Sequence, residues 1–154
     1  MFLQTVKVTG FLPEETHALR QEVFIEEQGF AQEFDETDRA ALHITLYEDG
    51  QAAACCRIFP DSPRGTWHVG RVAVRKNRRG QGLGAQVMDQ AEAAARARGA
   101  ARMVLSAQVQ AAGFYQKLGY AQSGGVYLDE HCPHVHMEKL LGQETTEKRE
   151  TACE

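Results

Sequence analysis

"VRKNRRGQGLGAQVM" (residues 74–88) decides how this chain is read. An apolar stretch ends at Val74, a basic run (Arg75, Lys76, Arg78, Arg79) follows, and Gly80, Gly82 and Gly84 lead into an alanine-rich segment. Glycine lets a backbone adopt positive φ and approach a ligand with no Cβ in the way. A helix beginning at Leu83 would point its free N–H groups and the positive end of its dipole at the same place. Together these features make an anion site suited to a diphosphate. The competing reading is a glycine-rich turn beside a solvated basic patch.

Two nucleotide motifs are tested by spacing. A phosphate-cradling Walker loop needs lysine and then serine or threonine after its glycines, whereas Ala85 and Gln86 stand there. A dinucleotide fingerprint needs G-x-G-x-x-G and an acidic residue about 20 positions on. The glycines here read G-x-G-x-G, and a helix fills the following interval. Both readings fail.

The 154 residues fit one domain. A formal charge of −4 speaks against a general nucleic-acid binder, so the basic run needs a local reason. No apolar run reaches the roughly 18 residues that span a bilayer, and "MFLQTVKVTG" does not read as a signal peptide. Cys55, Cys56, Cys132 and Cys153 form neither a disulfide framework nor a CxxC pair, and a reducing cytoplasm suits them best.

Along the chain, "LQTVKV" alternates as a strand, and residues 13–28 read as a helix entered at Pro13, with Leu19 and Val23 four apart. "GFAQEFDETDRA" (29–40) reads as an irregular acidic loop. "ALHITLYE" and "AAACCRIF" are strands joined by Asp49–Gly50, the strong hairpin signal. "TWHVGRVAV" is a further strand. Leu83, Val87, Ala91 and Ala95 stripe a helix over 83–98 that stops at Gly99. "RMVLSA" (strand), "QAAGFYQKLG" (helix) and "HVHMEKLL" (strand) complete the order β-α-β-β-β-α-β-α-β. This predicts a single α/β (α+β) domain over 1–141, a mixed central sheet flanked by helices. Residues 142–154 lack apolar periodicity and read as a polar, flexible tail.

"RGQGLG" (79–84), after the strand "VGRVAV", resembles the pyrophosphate-binding motif of the GNAT superfamily of N-acetyltransferases, with Arg79, Gly82 and Gly84 at its signature positions. A second family block is matched by Phe114, Tyr115, Gly119 and Tyr120. Within the superfamily the chain is similar to the ElaA-like or YjcF-like bacterial branch. That likeness rests on Arg20, Val23, Phe24, Glu27 and Gln28, on Leu105, Ala107 and Gln108, and on Pro133, His134 and Met137.

The resemblance implies the GNAT fold and acetyl-CoA as donor. It puts the diphosphate on Arg79, Gly80, Gln81, Gly82, Leu83 and Gly84, and the pantetheine arm along the backbone of Val72, Ala73 and Val74. Tyr115 matches the family's position for the acid that protonates the leaving thiolate; a phenol pKa near 10 suits that task, with Phe114 packing inward. For the base, Glu27 or His134 is favoured, and Glu27, Glu33, Asp35, Glu36 and Asp38 crowd a stretch that would attract a cationic amine. His131, Cys132, His134 and His136 invite a metal reading, but their spacing offers no closed tetrahedral set, and no metal is expected. The expected partner is a small-molecule or peptide amine, with no nucleic acid or membrane, and a homodimer is left open. The alternative is a non-catalytic acyl-CoA-binding or regulatory protein.

Overall fold

A computed structural model describes residues 2–142; the expected tail lies, beyond Gly142, outside the described residues. The N-terminal alternation forms β1 (Gln4–Thr9), and Pro13 caps α1 (Glu14–Arg20). The predicted helix continues as a π-helical segment, Gln21–Glu27, whose wider turn is closed by the bond from Gln28 N to Val23 O. Within the acidic loop a single short helix forms, α2 (Thr37–Ala40). The strands β2 (Leu42–Glu48) and β3 (Gln51–Asp61) follow. They meet at Asp49 and Gly50, with φ of 51° and 82°, the pair of left-handed residues that a tight hairpin turn requires.

Next come β4 (Thr66–Val74), α3 (Leu83–Arg96), β5 (Arg102–Gln108), α4 (Ala112–Lys117), β6 (Ala121–Asp129) and β7 (Cys132–Leu140). They build a seven-stranded sheet in the order β1-β2-β3-β4-β5-β7-β6, in which β4 and β5 are the parallel neighbours and the other pairs are antiparallel. The mixed sheet flanked by helices is thus observed, with one strand more than the sequence announced. That strand is β6. All nine of its residues are exposed, and a register shift between Ser123 and Tyr127 interrupts it at Gly124 and Gly125. An edge strand with no buried face carries no alternation to read.

Each face of the sheet buries its own cluster. Leu83, Val87, Ala91 and Ala95 of α3 pack with Ile44, Leu46 and Ile58. Burial of a side chain such as Val87, with no exposed area, is worth roughly 1.5–3 kcal/mol. On the other face Leu19, Val23 and Phe24 meet Tyr47, Cys55 and Ala73. The residues of β2 that alternate with Ile44 and Leu46 are therefore also buried, and Thr45 and Thr16 share a hydrogen bond of 2.7 Å beneath α1.

Candidate active site

The glycine loop takes the form its sequence requires. Gly80 and Gly82 sit at φ of 81° and 80°, Gly82 caps α3, and nothing lies within 4 Å of where a Cβ would stand at either. The first bond of α3 runs from Gln86 N to Gly82 O, so the N–H groups of Leu83, Gly84 and Ala85 precede the ladder. Gly84 has a different reason to be glycine. A Cβ there would come within 3.1 Å of Phe114 Cζ, so this position admits the aromatic ring rather than a ligand.

The arginines of the loop are not free charge. Arg75 donates to the Ala52 carbonyl and pairs with Glu22, Arg78 pairs with Glu48 at 2.6 Å, and Arg79 grips both oxygens of Glu27 at 2.7 Å. Each therefore ties the loop to the body of the protein. With these arginines engaged, the backbone N–H groups at the start of α3 are the donors that the loop geometry presents to an anion.

Upstream of the loop the sheet splits. Strands β4 and β5 pair at Thr66, Trp67 and His68, and beyond His68 the parallel ladder stops. The edge of β4 from Val69 to Val74 is left without a strand partner on that side, while its other edge stays on β3. A bulge between Cys55 and Arg57 puts Arg71 at φ 52°. In the split lies a cavity of about 210 Å³. Gly70, Arg71 and Val72 of β4 and Leu105 and Ser106 of β5 border it, together with Tyr115. Gln28, Phe30 and Glu33 close it on one side, and Asp129 and His134 of the last hairpin on another.

A glycine cradle at a helix N-terminus, leading along an open strand edge into a cavity, is matched by a family model. The model for the acetyltransferase (GNAT) domain covers residues 11–141. The chain belongs to the GNAT acetyltransferase family. The uncharacterized N-acetyltransferase YjcF of Bacillus subtilis is 35% identical over 79% of this chain and 87% of its own. Among solved structures, one from Lactobacillus plantarum superposes with a TM-score of 0.82 at 31% identity, covering 90% of this chain and 98% of its own. An acyl-CoA N-acyltransferase from Pseudomonas aeruginosa does so with a TM-score of 0.75 at 32% identity, covering 90% and 99%.

Within this GNAT fold Phe114 does not pack inward as expected, whereas Tyr115 does border the cavity. Phe114 lies half out of the protein against Gly84, while Tyr115 is 8% exposed, within the core, and borders the cavity. Burial, with Cys56 nearby, pushes the Tyr115 phenol well above its usual range. The helix is short and its end is locked by the bond from Tyr120 N to Tyr115 O, so the ring nearer the sheet is Tyr115.

Glu27 does not border the cavity. Hydrogen bonds from Arg79 hold its carboxyl below the ordinary range, which makes it a weaker base than a free glutamate. The acidic stretch is likewise not a free negative field. Glu33 bonds Arg20 at 2.8 Å and Arg71 at 3.1 Å, Asp35 bonds Arg57 and Arg71, and Asp38 bonds Arg20 and Arg57. Glu36 is exposed beside Arg39. The expectation that this stretch draws in a cationic amine is therefore corrected: arginines distant in sequence neutralise it. Burial works against the charged form of Asp38, but Arg20 and Arg57 prevail and draw its carboxyl to about 2. Burial prevails instead at Glu33, whose carboxyl is raised.

His134 does border the cavity and is 6% exposed. Its Nδ1–H donates to the Cys132 carbonyl at 2.9 Å, which leaves Nε2 as the bare nitrogen of the neutral ring. The neighbouring histidines act separately: His131 Nε2–H donates to the Gln28 carbonyl, and His136 pairs with Glu138. Sequence reading passed over Ser106, whose hydroxyl bonds that of Tyr127, and Tyr127, which stacks on His134. It also passed over Asp129, because all the β6 residues came from the unread strand.

Proposed function

We propose that this acetyltransferase moves the acetyl group of acetyl-CoA to a primary amine of a small-molecule or peptide acceptor, in the cytoplasm, and that it belongs to the branch of YjcF and ElaA. The observation that carries the reading is the continuity of three features: the cradle at Gly80–Gly84, the edge Val72–Val74 that no strand covers, and the cavity beside His134.

The residues present fit the donor. The space left at Gly80 and Gly82 admits a diphosphate to the N–H groups at the start of α3, and the edge of β4 that lacks a strand partner offers backbone groups to an amide-bearing arm, apart from the Val74 carbonyl, which accepts from Arg79 Nε at 3.0 Å. Acetyl-CoA supplies the acetyl group already activated as a thioester.

His134 acts as the base: its bare Nε2 accepts the proton of the attacking amine, directly or through water. Its tautomer is set by a backbone carbonyl and its plane by Tyr127. Tyr115 serves the leaving sulfur. A phenol raised above its usual range keeps its proton beside a thiol of ordinary pKa near 8.5, so it stabilises the thiolate chiefly as a hydrogen-bond donor.

The test is CoA release from acetyl-CoA with a panel of primary amines, by the wild type and by His134→Gln. Amine-dependent release is expected, with kcat in the variant lowered by about 10²–10⁴-fold. Release that no amine accelerates would refute the transferase reading.

A further inference from the structure

Charge around the cavity is almost wholly cancelled. Glu33 is held by Arg20 and Arg71, and Arg71 is in turn held by Glu33 and Asp35. His68, which also borders the cavity, is lowered by burial to about 4 and is neutral at physiological pH. Asp129 differs: among the described residues no ion-pair or hydrogen-bond partner meets its carboxylate.

The position of Asp129 is fixed by its neighbours. Glu130 accepts hydrogen bonds from Ala31 N and Gln32 N at 2.9 Å each, and His131 donates to the Gln28 carbonyl at 2.9 Å. The hairpin tip is thus fastened to the loop on the other side of the cavity. In the ladder, Tyr127 faces His134 and Asp129 faces Cys132. Two residues apart on one strand, Tyr127 and Asp129 share a face, and Asp129 stands about 7 Å along the strand from the partner of His134.

We propose that Asp129 binds a second cationic group of the acceptor, so that the substrate class is a short aliphatic diamine or a molecule containing one. One amine meets His134 and the other, still protonated, meets the carboxylate. The spacing suits a few methylenes between the nitrogens, and the cavity volume of about 210 Å³ suits a small chain rather than a folded partner. The inference rests on the transferase reading, whose failure is separately visible.

The experiment compares putrescine with n-pentylamine, which has as many heavy atoms but one charge, in the wild type, Asp129→Asn and Asp129→Glu. An exposed carboxylate meeting an ammonium predicts that the wild type prefers putrescine by up to about fivefold in kcat/KM. Asp129→Asn should bring the ratio close to one with CoA affinity unchanged, and Asp129→Glu should keep part of it. Equal use of both amines by the wild type, or a preference that survives in Asp129→Asn, would overturn the proposal. Should neither amine be acetylated, calorimetric titration of putrescine into the CoA-loaded protein decides. Binding lost in Asp129→Asn supports the site, and no binding to the wild type overturns it.

Discussion

Arg79 and Glu27 hold each other through two bonds of 2.7 Å, so the signature arginine of the glycine loop is fastened to the end of the π-helical segment. A diphosphate arriving on this loop competes with a carboxylate already there. Glu27→Gln should therefore tighten CoA binding, by about fivefold at most, since a half-exposed pair is worth up to ~1 kcal/mol. Titration of CoA at low and high salt checks this. Weaker binding in the variant would show instead that Glu27 aligns Arg79 for the ligand.

The same pair explains what was legible in the sequence. The pattern Arg20, Val23, Phe24, Glu27 and Gln28 pointed to a GNAT branch without saying what the residues do. Arg20 enters the buried ionic lattice, Val23 and Phe24 enter the core, Glu27 holds Arg79, and Gln28 accepts a hydrogen bond from Gln108. Periodicity and turn chemistry are local, so the stripe on α3 and the turn at Asp49–Gly50 could be read directly. The pairing of Asp35 with Arg57, or of Glu33 with Arg71, joins residues far apart in the chain. No local rule reports it, and the acidic stretch was therefore mistaken for an open field.

The two kinds of glycine in the loop should respond differently. At Gly82 a side chain meets no atom but must hold φ at 80°, so Gly82→Val carries a backbone cost of roughly 1–2 kcal/mol and obstructs the approach to the loop. CoA binding should be lost in a folded variant. Gly84→Ala meets Phe114 at 3.1 Å, and that ring is 36% exposed and can swing aside. A small fall in melting temperature with CoA binding retained is expected. The reverse pattern in titration and thermal melts would contradict this division.

Tyr115→Phe removes one hydroxyl from a buried ring that borders the cavity. A transition-state hydrogen bond predicts a fall in kcat of roughly 10²-fold with nearly unchanged acetyl-CoA affinity. Because the phenol is raised well above its usual range, the wild type should show no basic limb attributable to it near pH 10. Turnover of the variant at the wild-type rate, with chemistry limiting, would remove Tyr115 from the mechanism.

Arg20 is 1% exposed and serves Glu33 and Asp38 together. Its replacement by leucine leaves Glu33 to Arg71 alone and Asp38 to Arg57 alone, so the cost falls near the lower end of the about 3–5 kcal/mol for losing one member of a buried ionic group. Denaturant melts should show that loss. Glu33 also borders the cavity, so the acceptor KM should rise in whatever fraction remains folded.

Stability should fall with acid in two windows. His68 is lowered by burial from 6.5 to about 4, so the unfolded chain takes up its proton first. Its contribution is complete above pH 6.5 and is lost as the pH falls toward 4. Buried His43 is lowered too and acts in the same sense. Asp38 is depressed from 3.8 to about 2 by its arginines, so its contribution is present above pH 3.8 and disappears as the pH falls through 2. Glu33 is raised and works the other way, easing part of the loss in acid. Urea midpoints measured across this range should therefore decline in the upper window first. His68→Gln should flatten that part of the curve, leaving the contribution of His43 and the decline below pH 3.8 in place. An unchanged slope in the variant between pH 6.5 and 4 would show that His68 titrates normally in the folded protein.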